Sequence, residues 1–185
     1  FKPGPERQQH LTAAAVSISR LHAISPSELM AGDSLRSGPA RATVPLQSPF
    51  SSELYDWERD YFRAYIPGKL LGCPKLWELA APDYAEVREI MLAQPLVPIH
   101  RDLQSANIMI HEGRPFFIDF QGLRLGAAAY DIASLLYDPY AAYPAAIRAE
   151  AWHTYCEGVE ATGGKPPALP ALHAAAVQRL LQALG

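Results

Sequence analysis

Apolar and polar positions along the chain predict a helix-rich fold interrupted by one short β segment. From Arg7 to His22, Leu11, Ala15, Ile18 and Leu21 or His22 recur at helical spacing and form one stripe. Ser25-Pro26 ends that helix, because the residue before a proline avoids the helical region. Ala31 to Ser48 is rich in Gly, Ser, Pro and Arg without periodicity, which predicts a long loop carrying Arg36 and Arg41. Pro49-Phe50-Ser51-Ser52-Glu53 reads as a helix start with a serine cap and an acidic first turn. Leu54, Trp57, Tyr61 and Tyr65 then share a face expected to point into the core. Glu58, Arg59 and Asp60 form the expected solvated face, and Pro67-Gly68 is the stop. A further helix is expected over Asp83 to Ala93, with Tyr84, Val87, Ile90 and Met91 inward.

The texture changes at Leu96. Leu96 to Ile99 is short and apolar, and Asn107–His111 and Pro115–Phe120 are Ile- and Phe-rich runs joined through Glu112-Gly113, a hairpin signal. Helices return over about Tyr130–Tyr137, Ala145–Gly158 and Leu169–Leu184. The class is α+β and predominantly helical, without βαβ alternation.

Composition narrows the function. Sixteen basic against nineteen acidic residues give a net charge of -3, without the basic excess of a general nucleic-acid binder. No apolar run approaches the roughly 20 residues that span a bilayer, so no membrane partner is expected. The first residue is not Met, and Phe1-Lys2-Pro3-Gly4-Pro5 has no signal-peptide architecture, so the chain is expected to be trimmed at its start. Cys73 and Cys156 have no metal-ligand spacing and read as two reduced thiols of a cytoplasmic protein.

The chemistry sits in His100-Arg101-Asp102-Leu103-Gln104-Ser105-Ala106-Asn107 and in Ile118-Asp119-Phe120-Gln121-Gly122. A turn closing between His111 and Arg114 puts Asp119 opposite Ala106; one more loop residue puts it opposite Asn107. Either register delivers Asp119 and Asn107 to one end of the hairpin, and the preceding turn brings Asp102 there. Asn107 and Asp119 are hard oxygen donors suited to Mg²⁺. Asp102, near the metal but not on it, can accept a proton from an attacking hydroxyl.

H-R-D-x-x-x-x-N followed by D-F resembles the catalytic and metal-binding loops of protein-kinase-like phosphotransferases. Four fixed residues at this spacing recur by chance in about one chain in 10³. Gln104 stands where protein kinases usually carry Lys, D-F-G is replaced by Asp119-Phe120-Gln121-Gly122, and no A-P-E follows. Instead Tyr130-Asp131-Ile132-Ala133 comes soon after, as in the aminoglycoside phosphotransferase and choline kinase group. I-D-F-Q-G, Y-D-I-A-S-L-L-Y-D-P-Y and V-Q-R-L-L-Q-A-L-G look most like bacterial amino-sugar kinases acting on the anomeric hydroxyl of N-acetylmuramate or N-acetylglucosamine. The likeness is close over about Pro98–Tyr140.

The resemblance implies a kinase-like C-terminal lobe with a small catalytic hairpin. Asp102 is implied as catalytic base, and Asn107 and Asp119 as Mg²⁺ ligands. His100 and Arg101 are implied as loop braces, with Asp131 accepting hydrogen bonds from the loop. ATP is implied as donor and a small-molecule hydroxyl as acceptor, with Glu53, Asp56, Trp57 and Glu58 as acceptor-binding candidates. Nothing before Arg7 matches the Gly-rich loop or strand Lys of the nucleotide lobe, and the family pattern carries further helices past Gly185. A single lobe cut at both ends is the expectation. Two other readings fit the same residues: a non-catalytic scaffold lobe, and an aminoglycoside-modifying kinase served by the acids of Glu53–Asp60.

Overall fold

The computed structural model describes residues 5–31 and 46–184. Along the chain come α1 (Pro5–His22), α2 (Pro26–Ala31), α3 (Ser52–Arg63), α4 (Lys75–Leu92), β1 (Leu96–Ile99), β2 (Ile108–His111), β3 (Arg114–Phe117), β4 (Arg124–Ala127), α5 (Ala128–Leu136), α6 (Ala145–Ala161) and α7 (Leu169–Leu184). The described residues are predominantly helical, with two separate two-stranded antiparallel sheets, β1–β4 and β2–β3. This is the expected α+β class.

The core forms around α5. Every residue from Ala129 to Leu136 is buried, because β4 leads straight into this helix and other helices cover it. α7 packs against α5, α3 and α4, while α1 packs mainly on α6. Leu11, Ile18, Ile99, Leu103, Ile132, Leu135 and Tyr155 are among the side chains sealed in one continuous cluster. Each such aliphatic side chain contributes roughly 1.5–3 kcal/mol on burial. The contact between α1 and α6 needs a glycine: a Cβ at Gly158 would stand 2.4 Å from Ser19 Oγ.

The hairpin pairs Ile108 with Phe117 and His111 with Arg114, the first of the two registers considered. The β1–β4 pair, Leu96↔Ala127 to Ile99↔Arg124, was not foreseen, because Arg-Leu-Gly-Ala carries little strand signal. Gln47 and Phe50 donate their amides to the carbonyls of Leu123 and Leu125, so the chain before α3 runs along β4.

Several expectations need correction. Ser25-Pro26 ends α1 but also starts α2. Ser25 Oγ accepts the Glu28 amide and Glu28 accepts the Ser25 amide, a reciprocal capping box. The predicted loop from Ala31 falls mostly on 32–45, including Arg36 and Arg41, outside the described residues. Ser51 sits at the N-cap of α3 without a side-chain cap bond; its hydroxyl pairs with Glu53 and holds that carboxyl below the usual range. α3 buries Tyr55 and Glu58, and of the Leu54-Trp57-Tyr61-Tyr65 stripe only Leu54 packs against the core. Trp57 is 56 % exposed and Tyr61 and Tyr65 are also exposed, their rings following one another at 5.9 and 4.8 Å. The chain does not stop helically at Pro67; a π-helical stretch continues over Ala64–Leu70 with Pro67 buried inside it. α4 starts at Lys75 and runs through Pro82, not from Asp83.

Candidate active site

β1 ends with Ile99 locked in the core, and the next residues turn back over α5. Asp131, in the first turn of α5 and fully buried, receives this turn. Its two oxygens accept the amides of His100 at 2.6 Å and Arg101 at 2.8 Å. Arg101 is held at φ +79°, a left-handed conformation that L-residues enter only at a cost. Two charge-assisted bonds from one rigid carboxylate oppose that cost. Behind Asp131, His22 Nε2 stands 3.3 Å from Oδ2, and His22 Nδ1 meets the Tyr155 hydroxyl at 2.8 Å.

The far end of the same loop is fixed from the other end of α5. Buried Asp138 accepts the Ser105 amide at 2.6 Å and the Tyr140 amide at 2.8 Å. Asp138-Pro139 therefore forms a turn, as its sequence suggests, and also holds the loop. One helix, with an aspartate at or just beyond each end, spans the loop from His100 to Ser105.

Asn107 closes the next step. Its side-chain amide donates to the Asp102 carbonyl at 2.8 Å, and its own carbonyl accepts the Ile118 amide at 3.0 Å. His100 Nε2–H donates to the Ile118 carbonyl at 3.0 Å; a carbonyl only accepts, so this nitrogen carries the proton. Ile118 is thus tied to both segments, and Asp119 follows it at φ +66°, exposed, opening the short turn Phe120–Gly122. The structure brings Asp102, Asn107 and Asp119 to one end of the hairpin through these bonds. Among the described residues no group of three or more His, Cys, Asp or Glu side chains gathers as a metal cluster. Asn107 and Asp119 are hard oxygen donors that fit Mg²⁺, an ion that keeps waters and shares its shell with phosphate oxygens.

Charged residues from other helices frame the loop. Arg179 of α7 stands 3.5 Å from Asp102 Oδ1. Glu58 of α3 is completely buried, accepts from the Tyr130 hydroxyl and from Gln178 Nε2 at 2.8 Å, and lies 3.7 Å from Arg101. Burial pushes its carboxyl up, and Gln178, Tyr130 and Arg101 partly oppose this. The Gln178 oxygen is bonded by the Tyr84 hydroxyl at 2.8 Å, so both ends of its amide are used. Glu58 does not lie on the expected solvated face, because α5, α7 and the loop supply partners that bury it. Glu53 is exposed at the start of α3, Trp57 is on the surface, and Asp56 pairs with Arg59 and Arg88. Of these four, Glu58 has the contact with the loop. Nothing in the sequence marks Arg179 and Gln178, since a helix of alanines and leucines gives no sign of which polar residue turns inward.

A predominantly helical domain with a loop clamped under a hairpin that carries Asn107 and Asp119 is a kinase-like fold. A model of the phosphotransferase enzyme family matches residues 2–182, and the chain belongs to that family. It is 37 % identical over 155 residues to an N-acetylmuramate/N-acetylglucosamine kinase of Pseudomonas putida, a match covering 77 % of this chain and 45 % of the relative. A kinase of the same description from Neisseria meningitidis is 46 % identical over 50 residues, 27 % of this chain and 15 % of that one. The chain thus spans less than half the length of these curated relatives. Among solved structures, an ethanolamine kinase of Plasmodium vivax superposes over 96 % of this chain and 52 % of its own, with TM-score 0.58 and 15 % identity. A choline kinase of Cryptosporidium parvum does so over 100 % and 61 %, with TM-score 0.51 and 16 % identity. These two share the fold.

Proposed function

We propose that this chain is the acceptor-side lobe of a kinase that moves the γ-phosphoryl group of ATP to a hydroxyl of an amino sugar in the cytoplasm. The observation that supports the reading is the clamped loop, which ties Asp102 to Asn107 at the end of the hairpin where Ile118 bonds Asn107 and Asp119 follows. The 37 % identity to an amino-sugar kinase over most of the chain supports the acceptor class. In this reading the Gly-rich loop and lysine of the nucleotide site would come from a second lobe.

In this reading Asp102, whose side chain is about one-third exposed, receives the proton of the acceptor hydroxyl. The oxygen forms a bond to the γ-phosphorus as the bond to the bridging oxygen breaks and the nucleoside diphosphate leaves. Mg²⁺ bound at Asn107 and Asp119 would neutralise charge on the phosphates. Arg179 steadies Asp102 at the mouth of the site, and Asp131 keeps the loop in its costly conformation. Glu53, Asp56 and Trp57 on α3 remain the candidates for holding the sugar.

The test uses the full-length protein with labelled ATP and four acceptors: N-acetylmuramate, N-acetylglucosamine, an aminoglycoside and choline. Phosphorylation of the two amino sugars is expected. Asp102→Asn should lower kcat by about 10²–10⁴-fold while nucleotide binding stays. An unchanged kcat in that variant removes Asp102 from its role.

A further inference from the structure

Three arginines from three elements meet around the loop: Arg101 within it, Arg124 at the start of β4 and Arg179 in α7. Short contacts link the first two. Arg124 Nε donates to the Gly122 carbonyl at 3.1 Å. Gly122 lies against Arg101, whose Cδ would stand 3.6 Å from a Cβ built at that glycine. From Arg101 the path continues to Glu58, then to Tyr130, whose ring lies 4.9 Å from that of Phe50. It returns to the start, because the Arg124 guanidinium lies over Phe50, 5.5 Å from the ring centre.

The charges in this ring do not balance. Three guanidiniums share two carboxylates, Glu58 and Asp102. Arg124 pairs with no carboxylate among the described residues, and Arg101 Nε is buried without a hydrogen-bond partner there. Burial, followed by the charge of Arg101, holds Arg124 below the usual arginine range. Crowding like charges away from water costs energy that an arriving anion removes. Guanidinium forks also match carboxylate and phosphoryl oxygens in pairs.

We propose that Arg124, backed by Arg101, forms an oxyanion subsite beside Asp102 that takes an anionic group of one reactant. The inference rests on the reading of Asp102 as the base of a sugar kinase. The oxyanion has two sources: the lactyl carboxylate of an acceptor such as N-acetylmuramate, or the phosphoryl group in transfer.

Steady-state kinetics of the full-length enzyme and its Arg124→Met and Arg124→Lys variants separate them, with N-acetylmuramate and uncharged N-acetylglucosamine as acceptors. If the acceptor carboxylate binds there, Arg124→Met raises KM for N-acetylmuramate about tenfold or more and leaves that for N-acetylglucosamine within about twofold. The thermal shift produced by N-acetylmuramate without nucleotide is then lost as well. If the phosphoryl group binds there, kcat falls about tenfold or more with both sugars while both KM values hold. Unchanged kinetics with both sugars overturn the subsite. Should Arg124→Met not fold, Arg124→Lys decides: it keeps the charge but not the fork, and unaltered constants in it likewise overturn the proposal. A wild-type enzyme that phosphorylates neither sugar fails the proposed function first, and the subsite falls with it.

Discussion

At the scale of single residues, the loop depends on carboxylates that have no share in the chemistry. Asp131→Ala leaves the amides of His100 and Arg101 buried without acceptors and releases the left-handed Arg101. A loss of about 2–5 kcal/mol in chemical denaturation is expected, whereas a loss below about 1 kcal/mol would mean that water replaces the carboxylate. Glu58 gives a pH signature. Its carboxyl is pushed above the usual 4.5, first by burial, so the folded state holds this proton more tightly than the unfolded one. The stability tied to that proton is complete below 4.5 and declines as pH rises through the folded-state value. Glu58→Gln has no proton to lose, so its stability relative to wild type should improve between about pH 4 and pH 7, and a flat difference would contradict the raised value. Asp102, Asn107 and Asp119 were legible in the sequence because spacing and a two-residue turn place them together. Glu58 was not, because its burial depends on Gln178, far along the chain, and on Tyr130.

At the scale of elements, pattern was a good guide wherever one element's own residues decide its state. The hairpin took one of the two registers its turn allows, and α7 runs over Leu169–Leu184 as its pattern predicts. Where a distant element decides, pattern misled. α3 shows its aromatic stripe to solvent because α7 and α5 offer polar partners to its other face. β4 becomes a strand only because β1 lies beside it, and the first half of α4 was hidden by Pro82. The α1–α6 contact yields a prediction of this kind. Alanine at Gly158 gains up to about 1 kcal/mol of helix propensity, yet its Cβ collides with Ser19 Oγ. A net loss of about 1–2 kcal/mol in thermal or urea unfolding is expected. Adding Ser19→Ala should recover most of it, and no recovery would place the strain elsewhere.

At the scale of the whole molecule, a buried helix carries an exposed working edge. α5 is sealed along nearly its full length, while the β2–β3 hairpin presents Met109, Ile110 and Phe116 to solvent. Native-state hydrogen exchange should therefore find α5 amides among the slowest in the chain and hairpin amides faster by about two orders of magnitude or more. Equal protection would mean that hairpin and core open as one unit. The same division between sealed centre and open surface reaches the tryptophans. Trp77 and Trp152 are half-buried, and Trp152 stacks on sealed Tyr155, whereas Trp57 stands in water on the outer face of α3 beside Tyr61. In optical terms the protein carries its own dye on that helix: an indole whose emission and quenching answer to whatever settles on α3, while the other two tryptophans report the state of the interior.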